Sequence, residues 1–90
     1  MSVKVVISES FQVASGGVTE VETSGKTVGE CFREAAKVSP ALEHLWFGPD
    51  GAISQYVLLC LNGESVPGNN VDQTVKDGDE IYPVLMIGGG

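Results

Sequence analysis

The chain has 90 residues, 42% of them hydrophobic and 19% charged, with a formal net charge of −7. That length holds one core and not two, and the apolar content belongs to a chain that folds. The acidic excess repels phosphate backbones and anionic lipid, so it argues against nucleic-acid and membrane partners and favours a protein partner with a basic surface.

No apolar run approaches the roughly 20 residues of a membrane span, and Met1-Ser2-Val3-Lys4 does not begin a secretory signal, so a soluble, cytoplasmic protein is expected. Lys76 is the only base after residue 38, which places the acidic surface toward the C-terminal half.

Val3-Lys4-Val5-Val6-Ile7 is a β-branched run that predicts a first strand. Ser15-Gly16-Gly17 breaks the chain, and Val18-Thr19-Glu20-Val21-Glu22 alternates apolar and polar residues, as a strand with one wet face does. Thr27 and Glu30 have capping-box spacing, and Val28, Cys31, Phe32, Ala35 and Ala36 then form one apolar stripe, so a helix is predicted from Val28. Pro40 is expected to stop it.

Residues 39–55 read as an irregular crossover, in which residues 41–47 can form a short helical turn and Gly48-Pro49-Asp50-Gly51 is a turn signal. Trp46 and Phe47 there read as partial core. Tyr56-Val57-Leu58-Leu59-Cys60-Leu61 suits a strand in the middle of a sheet, and Asn62-Gly63 marks a tight hairpin into a short strand at Glu64-Ser65-Val66. Residues 71–75 suggest a turn of helix. Glu80-Ile81-Tyr82-Pro83-Val84-Leu85-Met86-Ile87 is the last strand, and Pro83 should interrupt or end its pairing on one side.

One amphipathic helix and a mixed sheet make an α+β layout, with the helix packed on one face and the first and last strands adjacent if the helix crosses between them. Cys31 and Cys60 are too few for a disulfide framework, and with the single His44 they do not complete a zinc site; both read as small core fillers. No catalytic side chain is indicated. His44 has no identifiable Ser or Cys partner, and Asp79 and Glu80 would point to opposite faces of a strand.

The element order, Leu61-Asn62-Gly63-Glu64, Lys76-Asp77-Gly78-Asp79-Glu80-Ile81 and the terminal Gly89-Gly90 together resemble the MoaD/ThiS family of ubiquitin-like sulfur carriers. That family includes the molybdopterin-synthase small subunit, the thiamine-pathway carrier and the carrier serving cysteine synthesis. The resemblance covers the whole chain and is closest to the molybdopterin-type and cysteine-pathway branches, although members commonly carry proline nearer the tail than Pro83. It implies a ubiquitin-like β-grasp fold of four to five strands with one main helix, a body at residues 1–87, and a glycine tail at residues 88–90.

The resemblance also implies a chemistry. An E1-like adenylyltransferase would use ATP to adenylate the carboxylate of Gly90, and sulfur would displace AMP to leave a thiocarboxylate. A sulfur-acceptor enzyme or synthase large subunit would then receive the sulfur. The chain itself would bind no cofactor. Gly88 and Gly89 would thread a narrow channel, because glycine lacks the Cβ that would block it, and Leu85, Met86 and Ile87 are candidates for docking the partner. The other readings are a ubiquitin-like modifier conjugated through Gly90 and a β-grasp interaction domain with no tail chemistry.

Overall fold

The computed structural model of the chain describes residues 2–86. Its first strand, β1 (Val3–Val6), turns Val3 and Val5 inward. It pairs antiparallel with β2 (Glu20–Thr23), Val3 lying opposite Thr23 and Val6 opposite Glu20. Helix α1 (Val28–Ala36) follows, its stripe of Val28, Cys31, Phe32, Ala35 and Ala36 wholly buried. Thr27 caps it as the spacing predicts, accepting from the Glu30 amide at 3.2 Å. Glu30 reaches back one residue further than a capping box requires, accepting from the Lys26 amide at 2.9 Å.

Pro40 does more than stop α1. With Ser39 as N-cap it opens a second helix, α2 (Pro40–Trp46), because proline at the first helical position gives up an amide that has no partner there. The expected short turn is thus a helix nearly as long as α1, and it carries the largest side chain of the core. Trp46 is fully buried, stacked on Phe32 at 4.1 Å and edge-on to Phe11 at 5.7 Å. Phe47 is half-buried beneath the Arg33 guanidinium, 4.6 Å from the ring centroid.

Strand β3 (Val57–Leu61) turns through Asn62 and Gly63, both at positive φ as a tight hairpin requires, into β4 (Glu64–Ser65). β4 covers only Cys60 and Leu61. Beyond it the Leu59 carbonyl accepts from the Val66 amide at 2.8 Å, and the Asn69 side chain accepts from the Leu59 amide at 2.9 Å and donates to the Val57 carbonyl at 2.6 Å. Asn69 closes a short 3-10 turn at Pro67–Asn69, where the helical turn expected at residues 71–75 has moved. Residues 71–75 are needed elsewhere: the Val71 and Gln73 carbonyls accept from the Gly29 and Val28 amides, both at 2.9 Å, and so satisfy the first turn of α1.

The last strand, β5 (Glu80–Leu85), lies in the centre of a five-stranded mixed sheet ordered β2-β1-β5-β3-β4. It runs parallel to β1 at Lys4↔Glu80 and Val5↔Ile81, and antiparallel to β3 from Leu61↔Ile81 to Val57↔Leu85. This is the ubiquitin-like β-grasp arrangement. The buried residues of both helices lie against the face holding Val3, Val5, Val57, Leu59 and Ile81.

Asp79, 7% exposed, ties two turns to the foot of β5. Its carboxylate accepts from Asn62 Nδ2 at 2.9 Å and from the Lys76 amide at 2.8 Å, while Asn62 Oδ1 accepts from the Glu80 amide at 2.9 Å. The Asn62 bond, then the Lys76 amide, hold the carboxyl below its ordinary range against the opposing pull of burial. A depressed value means stabilisation that is present above the unfolded pKa of about 3.9 and lost as pH falls through the folded one. Asp79→Asn is expected to lower the thermal midpoint by roughly 5–10 °C at neutral pH. Thermal scans stepped down in pH should show the gap from wild type closing in acid, and a gap that stays constant would refute the assignment.

Candidate functional site

Sequence reasoning centres the site on the C-terminal end of β5. Of the residues it singles out, Ile87, Gly88, Gly89 and Gly90 lie outside the described residues; Leu85 and Met86 lie within them. Alternation separates these two. Leu85 sits on the same face as Ile81 and Pro83 and packs against the core, whereas Met86 falls on the opposite face and is 39% exposed. The Met86 amide donates to the Tyr56 carbonyl at 2.7 Å, which holds the end of the described chain against the start of β3.

The face that Met86 joins carries neither helix. Paired residues of β3 and β5 share it: Leu58 with Val84, and Cys60 with Tyr82, with Tyr56 and Met86 at one end. Val6 belongs to it by alternation along β1. Tyr56 and Tyr82 are exposed, and Leu58, Cys60 and Val84 half-buried, so an apolar strip runs up the middle of the sheet to Met86. Sequence reasoning missed Tyr56, Leu58, Tyr82 and Val84 as a group. An apolar run such as residues 56–61 reads as buried on both sides, and only the single-sided placement of the helices shows which alternate residues remain open.

Acidic side chains lie along one margin of the strip. Glu20 and Glu22 on β2 and Glu80 on β5 fall on the open face, where Lys4 is the one base among the described residues and lies 3.6 Å from Glu20. An apolar strip with acids along one margin fits a protein surface that sets an apolar patch beside basic side chains.

The remaining polar groups give no second centre. His44 is exposed on α2 beside an open cleft lined by Arg33, Glu43, Phe47, Gly48, Pro49 and Gly51, and no Ser or Cys among the described residues is hydrogen-bonded to it. Arg33 is engaged there in holding the loop, donating to the Gly51 carbonyl at 2.6 Å. Among the described residues no three His, Cys, Asp or Glu side chains gather as a metal site would need, and no helix is long and apolar enough to cross a membrane.

A family model, the ThiS family, matches residues 5–90. Solved structures agree in fold. The small archaeal modifier protein 1 from Methanosarcina acetivorans superposes with a TM-score of 0.86 at 23% identity, covering 99% of this chain and 96% of that one. CysO from Mycobacterium tuberculosis gives 0.74 at 25% identity over 94% and 99%. The complex of subunits 1 and 2 of the molybdopterin-converting factor from Helicobacter pylori gives 0.66 at 19% identity, covering 100% of both chains. No curated protein matches the chain significantly.

The two cysteines differ in a way that reports on the open face. Cys31 is buried in the core, and burial above all pushes its thiol up; Thr23 and Gly25 pull it back, and Glu34 and Glu30 add to the rise. Cys60 is half-buried on the open face and so is not the core filler its neighbours Leu59 and Leu61 suggest. A water-soluble thiol reagent is expected to modify Cys60 in the native protein and Cys31 only on unfolding. Labelling followed by peptide mapping checks this, and equal reactivity of the two would contradict the placement.

Proposed function

Because the chain belongs to the ThiS family, we propose that it is a sulfur carrier whose reacting group is the carboxylate of Gly90. The observation that carries this reading is that the family match runs on through β5 to residue 90, past a strand that ends beside an open apolar face with acids along one margin.

In the proposed cycle an E1-like adenylyltransferase binds that face. The Gly90 carboxylate attacks the α-phosphate of ATP, pyrophosphate leaves, and an acyl-adenylate forms. Hydrosulfide then attacks the acyl carbon, AMP departs and a proton is lost, leaving a thiocarboxylate. That group is ionised at neutral pH and more nucleophilic than a carboxylate, so its sulfur can attack an acceptor bound in a second enzyme and displace the acceptor's leaving group, after which water cleaves the acyl–sulfur bond and returns the Gly90 carboxylate. The carrier contributes a body that is recognised and an arm that reaches; ATP is bound by the partner.

Glycine suits the arm at residues 88–90, since a chain without Cβ enters a narrow site that any side chain would obstruct. Fixing such a chain costs about 1–2 kcal/mol per residue. The body must therefore supply the affinity, through Tyr56, Leu58, Tyr82, Val84 and Met86 and the acidic margin beside them. The body is taken as residues 1–87. The Helicobacter pylori relative stands in complex with a second subunit, and by analogy the sulfur acceptor of this chain is a synthase large subunit or comparable enzyme. Which cofactor or amino acid receives the sulfur is set by that enzyme.

A modifier reading shares the first step. The similarity to an archaeal modifier protein favours keeping it: the same adenylate, captured by a lysine amine and not by sulfur, would give an isopeptide. Mass spectrometry distinguishes the two. After incubation with ATP, the activating enzyme and a sulfide source, the intact chain should gain the mass difference of one sulfur replacing one oxygen, and removal of Gly90 should abolish it. Adducts joined to lysine, with no sulfur gain, would overturn the carrier reading in favour of the modifier. Tyr82→Asp, which places a charge in the apolar strip, is expected to raise the KM for activation about tenfold or more while leaving the thermal midpoint within a few degrees. An unchanged KM in steady-state assays would remove the open face from the recognition scheme.

A further inference from the structure

Pro83 interrupts one side of β5 only. Backbone groups of successive strand residues point to alternate neighbours. On β5 the odd-numbered residues face β1: the Asp79 carbonyl accepts from the Lys4 amide at 3.0 Å, and the Pro83 carbonyl accepts from Ser8 Oγ at 2.7 Å. The even-numbered residues face β3, as the Asn62–Glu80 and Met86–Tyr56 backbone bonds show. The nitrogen of residue 83 therefore points at β1, where the register Lys4↔Glu80 and Val5↔Ile81 would place the next rung on the Val6 carbonyl. Proline has no hydrogen to donate. Pairing with β1 ends at Ile81, while pairing with β3 continues to Leu85.

Ser8 stands where that edge fails. It is 7% exposed and occupies the N-cap of the short turn Glu9–Phe11, yet its side chain makes no capping bond. Its hydroxyl goes instead to Pro83.

We infer that Ser8 is a positioning residue, whose hydroxyl, by donating to the Pro83 carbonyl, gives β5 a bond on the side where Pro83 has no N–H to offer Val6, and so holds the end of β5 for the reaction of the residues beyond it. The inference takes its functional consequence from the sulfur-carrier reading. With Ser8 in place the end of β5 is held from both sides, by Ser8 at Pro83 and by Tyr56 at Met86. With β3 alone holding it, the end opens more often, and that freedom must be removed each time the arm enters a partner.

Two measurements on the full chain test this: hydrogen exchange at the Val84 and Met86 amides, and ATP–pyrophosphate exchange by the E1-like enzyme with the carrier varied. Ser8→Ala should speed exchange about tenfold and raise KM by a similar factor, with kcat kept within about twofold. Ser8→Thr, which keeps a hydroxyl, should behave as wild type. Adding Pro83→Ala to Ser8→Ala should restore both readings, because residue 83 regains an N–H that the Val6 carbonyl can accept. Unchanged amide exchange in Ser8→Ala would overturn the hydrogen-bond substitution. Faster exchange with KM unchanged, or a fall in kcat alone, would overturn the positioning role. If wild type is not activated at all, the carrier reading fails and the positioning role with it, and the exchange data still decide whether Ser8 holds β5.

Discussion

Two rungs of parallel pairing, Lys4↔Glu80 and Val5↔Ile81, set beside each other strands from opposite ends of the chain. Parallel neighbours cannot be joined by a hairpin, so the chain between them must cross over one face of the sheet. Here the crossing is made by α1 and α2, whose buried residues pack against β1, β3 and β5 from one side. The other face is left without a helix. Because β5 is central, the described chain reaches Met86 from the middle of the sheet, beside that open face.

The body is built to be stiff where the proposed function needs it. The Trp46–Phe32 stack and the Phe11 edge contact fill the space under the sheet, so the helix side forms a close-packed support for β3 and β5. At the foot of β5, Asp79 and Asn62 fasten the strand to two turns. Near its end the Ser8–Pro83 and Met86–Tyr56 bonds hold it from either side. A strand clamped at both ends presents Tyr82, Val84 and Met86 as a fixed surface, so a partner binding them has little of the body's freedom to remove.

Local signals in the sequence were reliable wherever one residue type answers one backbone need. Thr27 caps α1, Asn62-Gly63 makes the hairpin at positive φ, and Pro83 ends pairing on a single side. The signals that told only part of the outcome have two meanings. Pro40 both ends a helix and begins one, and choosing between these required knowing that Ser39 lies where it can cap the next turn. The expected helical turn at residues 71–75 gave way because the first amides of α1 needed the Val71 and Gln73 carbonyls. Gly29 was the available hint: a Cβ there would come within 2.7 Å of Val71.

From the sequence alone came the α+β class, the α1 stripe and the family resemblance, since each rests on periodicity or on local motifs, whereas the adjacency of first and last strands was conditional on a helix crossing between them and the sheet order decides it. The tertiary structure alone decided which alternate residues of β3 and β5 stay open, that Leu85 and Met86 part to opposite faces, and that Ser8 meets Pro83 across 75 positions. Periodicity states that a strand has two faces. Which of them is covered is settled only when the helices choose a side.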